Sequence, residues 1–384
     1  MRDRLRLAPE SKFVLGLSCQ TLPPDARDVA RTLAERGVCW ATIVDLARAH
    51  GVAPLVAHNL ERLHLGSVPQ DACAALAAVR QRTAARAMLF AQELVRVLDA
   101  LHEVGSPAMP LKGPMLAESV YGDATLRDCS DIDVLVPRDQ VSNALDRLLR
   151  LGYQPDPEEK AAARLDPGLL LASNIEYRLV SPGSFPCALE LHWGIAWRWP
   201  RARQATDDLW ATARAARFRG ARAQAPSPEW ELIYLSVHAA RHRWQGLKWL
   251  VDIHEVCSRE RLDWDVLTQK AERFGWRDVL ALTLGACDAL LDTPIPPRVG
   301  VVTPPPWMRL FPASPVAPGR DDTLFAARLF RPLGRKLGYL ARVCFVPTLA
   351  ERGLISLPRL VFGLYFVLRP IRLLGRWIVD QLRA

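Results

Sequence analysis

Long apolar runs, closely spaced cysteines and lysine are scarce in this 384-residue sequence. No apolar run approaches the about 20 residues of a membrane-spanning helix, so the sequence predicts no conventional span. The first residues, MRDRLRLAPESKF, lack the apolar core of a secretory signal. The eight cysteines are scattered without the spacing of a zinc knuckle or a redox pair, which disfavours a disulfide framework. These absences lead us to expect a cytoplasmic protein.

The basic residues are almost all arginine. Lysine occurs only at positions 12, 112, 160, 248, 270 and 336, among 50 basic residues in all. This bias, together with abundant alanine, is typical of a GC-rich genome, so the arginine excess alone is weak evidence for nucleic-acid binding. The net charge of +9 still favours anionic partners such as nucleotides, phosphates or an acidic membrane surface.

Hydrophobic periodicity divides the chain into four predicted regions. Residues 1–104 have helical spacing and predict a helical N-terminal domain. Residues 105–222 contain short strands, such as DIDVLV and CALELHW, between helices and turns, which predicts an α+β core with a mixed sheet. Residues 223–295 are helical again and predict a bundle. Residues 296–384 predict a proline-rich linker and a basic amphipathic C-terminal tail.

Two carboxylates stand one residue apart in the strand DIDVLV. Side chains alternate along a strand, so Asp131 and Asp133 are predicted to share one face. Like charges on one face repel unless a cation lies between them, and Mg²⁺ is the usual cation for carboxylate ligands. Glu190, in the strand CALELHW, is a candidate third acid, and Glu176 competes with it for that role. A D-x-D pattern by itself is common and more often has no metal.

The segment LKG lies upstream of these acids. It predicts a turn between a strand and a helix, where the ammonium of Lys112 and the backbone N–H of Gly113 would meet phosphate groups. Arg127, just ahead of the aspartates, is a candidate to clamp the same phosphates. The combination of these residues is far more specific than the two aspartates alone.

The stretch LKGPMLAESVYGDATLRDCSDIDVLV, followed by LELHWGI, resembles a bacterial nucleotidyltransferase family of the polymerase-β-like superfamily. Its hallmark is LKG, then DIDLLV, then a strand with ELHW. The resemblance extends to HAARHRWQGLKWLVDIHEV and to the terminal RPIRLL. It implies a polymerase-β-like core flanked by helical N- and C-terminal domains. It also implies Mg²⁺-dependent transfer of a nucleotidyl group from an NTP such as ATP to a hydroxyl or phosphate acceptor.

The resemblance also implies roles for individual residues. Asp131, Asp133 and Glu190 would hold two Mg²⁺ ions and carry the catalysis, while Lys112 and Gly113 would contact the triphosphate. The wider superfamily usually has Gly-Ser at this turn, and here a lysine precedes the glycine and the serine is absent. This departure leaves open a different donor, or a scaffold that binds a nucleotide without catalysis.

The acceptor is not determined by the sequence: a small molecule, a peptide and a tRNA end all fit. Three residues are candidates for its side of the site, His192, His238 and Asp252. His192 is about equally well explained as a core histidine. An alternative function is a metal-dependent hydrolase that uses His238, His242 and Asp252, although the H-E-x-x-H zinc pattern is absent.

The segment ELHWGIAWRWPRAR combines aromatic and basic residues. Its tryptophans would stack a nucleobase, and Arg198, Arg201 and Arg203 would meet phosphate or RNA. Core packing of Trp193 and a solvated arginine face are the simpler alternatives. If the arginines face away from the aspartates, tRNA loses its main support as the acceptor.

Residues 354–384 form an apolar segment interrupted by arginines. Two interpretations fit this tail. It would bind a membrane surface as an amphipathic helix, which makes the protein membrane-peripheral, or it would dock on the helical bundle.

Overall fold

The computed structural model describes residues 7–156, 171, 174–308, 310–312, 323–330, 333–355 and 357–383. Parts of the predicted regions, namely 1–6, 157–170 and 313–322, lie outside the described residues. Within the described part of the chain, no helix is both long enough and apolar enough to span a membrane.

Helices make up most of the fold. They are α1 to α6 at Pro9–Gly16, Ala26–Glu35, Trp40–Ala49, Ala53–Leu63, Gln70–Glu103 and Gly113–Ser119; α7 to α12 at Val141–Arg150, Ala202–Ala211, Pro228–Arg241, Leu247–Arg259, Trp264–Phe274 and Arg277–Leu291; and α13 to α16 at Thr323–Arg328, Leu333–Phe345, Leu349–Leu354 and Tyr365–Arg383. The strands are β1 to β7 at Met109–Pro110, Ile132–Leu135, Gln154–Pro155, Glu176–Val180, Ala188–His192, Arg214–Phe218 and Ala221–Ala225.

The chain folds as two compact units, and each is assembled from three segments. The first unit consists of Met1–Arg96, Leu111–Ile132 and Pro226–Arg320, and the second of Val97–Pro110, Asp133–Ala225 and Asp321–Ala384. The four regions predicted from the sequence are each continuous in the chain, whereas each of the two units combines segments that are distant in sequence. Helices together with a five-stranded sheet confirm the predicted α+β class.

The helices of the first unit pack around an aromatic centre. Ser227 caps α9 by accepting a hydrogen bond from the N–H of Trp230, and a proline follows in the first turn. Trp230, Phe274 and Trp276 are almost fully buried, and their ring centroids lie 5.4–6.3 Å apart. This packing joins α9 to α11 and the start of α12. Burial of large aromatic surfaces contributes much of the stability of such a core.

The sheet of the second unit has the strand order β1-β2-β5-β4-β3. β4 and β5 form an antiparallel hairpin that places Glu176 opposite His192 and Arg178 opposite Glu190. The N–H of Val136, just after β2, donates to the carbonyl oxygen of His192 at 2.9 Å. The strands that carry Asp133 and Glu190 are therefore neighbours in one sheet.

A second hairpin, β6–β7, was not predicted from the sequence. It turns at Arg219 and Gly220, which both have positive φ, and the N–H of Gln224 donates to the carbonyl oxygen of Ala108 next to β1. Its sequence, RAARFRGARAQA, is rich in alanine and arginine and lacks the β-branched residues that mark most strands.

Candidate active site

Three carboxylates surround one imidazole in the second unit. The Nε2 atom of His192 lies 3.1 Å from Asp133 Oδ1 and 3.4 Å from Glu190 Oε2, and its Nδ1 atom lies 3.5 Å from Glu176 Oε2. Asp133 comes from β2 and the other three residues from the β4–β5 hairpin. We call these four residues the carboxylate cluster. Both candidates for the third acid, Glu176 and Glu190, belong to it.

The carboxylates determine the charge of His192. Burial alone would lower the pKa of His192, because the imidazolium loses its hydration. Hydrogen bonds to Asp133 and Glu190 and the charge of Glu176 outweigh burial and raise this pKa to about 10. His192 is therefore a cation at neutral pH. The half-exposed Arg178 is a second nearby cation, because its Nε atom lies 3.0 Å from Glu190 Oε1. The three carboxylates of the cluster are therefore near two positive charges, those of His192 and Arg178.

The donor atoms of the cluster fit a divalent cation. Asp133, Glu190 and His192 each offer a ligand atom, and these atoms lie within 4.8 Å of one another. Glu176 Oε2 and His192 Nδ1 are buried and make no hydrogen bond to the described residues, and they face each other as an ion pair 3.5 Å apart. Carboxylate oxygens suit Mg²⁺, and a nitrogen of His192 would bind a metal only after the imidazolium loses a proton.

Asp131 belongs to the first unit and contacts the LKG turn. Its Oδ2 atom lies 3.4 Å from Lys112 Nζ, and its Oδ1 atom accepts a hydrogen bond of 3.2 Å from the Ser130 hydroxyl. Gly113 begins α6 with a φ of 66°, and a Cβ at this position would lie 3.3 Å from the carbonyl oxygen of Asp131. The left-handed backbone and this close approach explain why residue 113 is glycine.

Further cations lie near Lys112 in the first unit. Burial, together with the charges of Arg241, Lys112 and Lys248, lowers the pKa of His242 to about 3. Burial also lowers the pKa of Lys248, as do the nearby charges of Arg127 and Lys112. Such a concentration of positive charge is suited to a polyphosphate. The sequence analysis assigned no role to Arg241 or Lys248, although both lie in the quoted motif RHRWQGLKW.

Arg127 lies in a buried ion pair. Its Nε and Nη2 atoms donate to the two carboxylate oxygens of Asp252, both at 2.8 Å, and the Tyr121 hydroxyl donates to Asp252 Oδ1 at 2.6 Å. The side chains of Arg127 and Asp252 are 5% and 0% exposed. This geometry favours a structural role for both residues. A phosphate contact by Arg127 and an acceptor contact by Asp252 stay predictions.

Comparison with known proteins identifies the family. The model of a family described as uncharacterised nucleotidyltransferase matches residues 36–292, a range that includes the LKG turn and the carboxylate cluster. The chain belongs to this nucleotidyltransferase family. No curated protein and no solved structure gives a significant match. Membership confirms the coarse part of the prediction, namely a transferase of nucleotidyl groups from a family that uses NTPs and divalent metals.

The alternative hydrolase site is not assembled in this nucleotidyltransferase. The ring of His242 stacks on Trp249 with centroids 4.1 Å apart, and His238 packs against the same indole at 5.8 Å. Asp252 is held instead by Tyr121 and Arg127. Among the described residues, two groups have donor atoms close enough to share one ion: Asp133, Glu190 and His192 of the carboxylate cluster, and Cys19, His254 and Glu255.

The arginines of ELHWGIAWRWPRAR lie elsewhere in the second unit. Arg198, Arg201 and Arg203 line a cavity together with Trp193. Trp193 directly follows His192, and its N–H continues the sheet by donating to the carbonyl oxygen of Ile175 at 2.8 Å. Since side chains alternate, Trp193 leaves the sheet on the face opposite His192. These arginines therefore give no support to a tRNA acceptor at the carboxylate cluster.

Proposed function

We propose that this protein is a Mg²⁺-dependent nucleotidyltransferase that moves a nucleotidyl group from an NTP to a hydroxyl or phosphate acceptor. The observation that carries the proposal is the convergence of Asp133 and Glu190 on His192, with Asp131 two positions before Asp133 in the chain. Asp131 and Asp133 are separated by one residue, so their Cα atoms are at most about 7 Å apart. A D-x-D pair and a third acid on the neighbouring strand would supply the metal ligands that the proposed chemistry needs.

Asp131, Asp133 and Glu190 would hold the metal ions. When bound, Mg²⁺ offsets the charge of the triphosphate and activates the acceptor oxygen. His192 would orient the metal ligands, because its Nε2–H donates toward both Asp133 and Glu190 and fixes their rotamers. The protein itself then contributes mainly by positioning the reacting groups.

The phosphates of the NTP would meet the cations of the first unit. Lys112 is a partly buried ammonium beside Asp131, and Lys248 and Arg241 add positive charge near it. In this arrangement, Lys112 compensates for the serine hydroxyl that the wider superfamily has at the turn. Gly113 allows the backbone to approach closely at this point.

Calorimetry tests the donor site most directly. We would titrate the wild type, Asp131→Asn/Asp133→Asn and the control Asp146→Asn with each of the four NTPs, with and without Mg²⁺. Asp146 is exposed on α7, so its substitution changes the same charge away from the cluster. We expect Mg²⁺-dependent binding of at least one NTP by the wild type and the control, and loss of that binding in the double variant.

Absence of NTP binding to the wild type would overturn the proposal. A second assay separates catalysis from a non-catalytic nucleotide-binding scaffold. Release of pyrophosphate from the bound NTP in the presence of candidate acceptors (sugars, peptides or tRNA) identifies a transferase, whereas Mg²⁺-dependent binding without turnover with any acceptor identifies the scaffold.

A further inference from the structure

A large cavity with aromatic walls lies in the second unit, between the end of β5 and the start of α8. Its volume is about 950 Å³, at the upper end of the range for small-molecule sites. Trp193, Trp197, Trp199 and Trp210 line it. Trp193 and Trp199 are almost fully buried, whereas Trp197 and Trp210 are half-buried and offer flat apolar surfaces on which a nucleobase stacks.

The same cavity is strongly cationic. Five arginines line it, against two aspartates; the arginines are Arg138, Arg198, Arg201, Arg203 and Arg342. Arg138 is fixed because its Nη2 atom donates to the carbonyl oxygen of Leu171 at 2.8 Å. Burial lowers the pKa of Arg138, and the positive charge of Arg203 lowers it further. The charge of Asp207 acts in the opposite direction, and an added anion would favour the charged form of Arg138 in the same way.

The backbone at the rim of the cavity also indicates a binding site for an anion. Arg198 and Arg201 have φ values of 61° and 53°, a strained conformation that is often retained at binding sites. The guanidinium of Arg198 lies 5.0 Å from the ring centroid of Trp197, which orders that part of the aromatic wall. The first turn of α8 also lines the cavity, and no side chain caps it, so its positive end adds to the field of the arginines.

We propose that this cavity binds a nucleoside phosphate, with the base against the indoles and the phosphate between Arg138 and Arg203. The site is separate from the carboxylate cluster, because Trp193 and His192 lie on opposite faces of the sheet. It contains no group of carboxylates to hold a metal, so binding needs no divalent cation. The proposal does not depend on the proposed transferase function.

The test measures binding of AMP, GMP, CMP and UMP to the full chain by calorimetry in EDTA, with adenosine and inorganic phosphate as fragments. We expect one or more mononucleotides to bind at least about tenfold more tightly than either fragment, because stacking and charge act together. A pentanucleotide RNA distinguishes the source of the ligand: tighter binding than AMP assigns single-stranded RNA, and equal or weaker binding assigns a free nucleotide.

Variants locate the binding. Arg138→Gln/Arg203→Gln should weaken binding by about tenfold or more, whereas the control Arg150→Gln/Arg214→Gln, which removes two exposed arginines of the same unit, should leave it unchanged. Asp131→Asn/Asp133→Asn should also bind normally in EDTA. Absence of binding in EDTA, or equal binding of adenosine and AMP, overturns the proposal. Trp197→Ala provides a second test if the arginine variant does not fold.

An independent observation concerns the C-terminal helices of the second unit. Arg369 and Arg372 of α16 both pair with Glu351, which is 2% exposed, so this face of the helix is held against α15. The opposite face is apolar. It carries Val367, Ile371 and Leu374. Leu360 and Leu364 of the 3-10 helix Arg359–Leu364, just before α16, extend the series at intervals of four and three residues, and all five residues are more than half exposed. We call these five residues the outward stripe.

The charge around the outward stripe indicates what covers it. Residues 333–384 contain nine basic and two acidic residues, which amounts to +7 of the net charge of +9. An apolar helix face within a strongly basic segment is typical of helices that lie on anionic membranes. We infer that the outward stripe binds an anionic lipid surface. The paired face of α16 remains attached to the protein, so docking and membrane binding use different sides of one helix.

Vesicle co-sedimentation tests this inference. We expect binding to vesicles of phosphatidylcholine with phosphatidylglycerol, weaker binding to pure phosphatidylcholine, and loss of binding in Leu364→Glu/Ile371→Glu. The control Val29→Glu/Met88→Glu adds two charges at exposed apolar positions of the first unit and should bind as the wild type does. Sedimentation velocity without lipid checks the main competitor. A dimer that the stripe variant converts to a monomer, without vesicle binding by the wild type, would assign the stripe to a second copy.

Discussion

His192 and His242, which lie in different units, differ in charge at neutral pH: His192 is a cation and His242 is neutral. Burial lowers the pKa of both, yet the pKa of His192 is raised to about 10 and that of His242 is lowered to about 3. Their neighbours explain the difference, since His192 lies among carboxylates and His242 lies near Arg241, Lys112 and Lys248. The surroundings of His192 thus concentrate negative charge, and those of His242 concentrate positive charge. Metal ions suit the first environment and phosphates the second.

In the buried Arg127–Asp252 pair, one positive and one negative charge neutralise each other. Breaking this pair should have the largest effect on stability. Asp252→Asn leaves a buried guanidinium without its counter-ion, so we expect the free energy of unfolding to fall by about 3–5 kcal/mol. Urea denaturation measures the loss. Asp45→Asn, at an exposed position of the same unit, is the control. A loss below about 1 kcal/mol would show that the pair is not buried in solution.

Removing the cation from the carboxylate cluster should have the next largest effect. His192→Ala leaves Asp133, Glu190 and Glu176 without the imidazolium, and we expect a loss of about 2–4 kcal/mol in EDTA. Mn²⁺ should stabilise this variant more than it stabilises the wild type, because a metal ion replaces the missing charge. Thermal unfolding with and without Mn²⁺ measures both effects, with the exposed His102→Ala as control. Equal stabilisation of both proteins by Mn²⁺ would contradict the assignment.

His242 should make the protein acid-sensitive. The folded state has the lowered pKa of about 3, so between pH 3 and about 6.5 the unfolded chain binds the extra proton. Stability therefore falls as the pH falls through this window. His242→Phe keeps the stacking on Trp249 and removes the titration, so the fall between pH 6.5 and 4 should be smaller by up to about 2 kcal/mol. Parallel curves of unfolding free energy against pH for both proteins would contradict this origin.

The smallest expected effect concerns Lys248. Lys248→Met keeps most of the side-chain volume and removes one cation near Lys112, so we expect Mg²⁺-NTP affinity to fall by about tenfold with little loss of stability. Calorimetry measures the affinity. Lys270→Met, on α11 of the same unit, is the matched control, because Lys270 lies near Trp230 in the bundle. Unchanged affinity in Lys248→Met would remove Lys248 from the phosphate site.

Local patterns predicted those parts of the fold that depend on local physics. The strands around DIDVLV and CALELHW have aliphatic residues in alternation, and both are confirmed as β2 and β5. The hairpin β6–β7 was missed because alanine and arginine carry no strand preference, and its position beside β1 is fixed by a contact between distant segments.

In the candidate site as well, contacts between residues distant in sequence could not be predicted from local patterns. The sequence indicated that Asp133 and Glu190 are relevant, but the register that places Glu176 opposite His192 depends on how β4 and β5 pair. Arg127 and Asp252 are 125 positions apart, and no spacing rule connects them. The catalytic and phosphate-binding roles of individual residues stay predictions until binding is measured.

The antiparallel register of β4 and β5 has a consequence for insertions and deletions. The exposed turn between the strands, residues 182–186, can change in length without altering which side chains face the carboxylate cluster, because Ser181 and Cys187 still pair at its base. Deletion of Leu189 would instead shift the rest of β5 by one position, which moves Glu190 and His192 to the opposite face of the sheet. Natural variation in this hairpin should therefore accumulate in its turn, while the length of β5 stays constant.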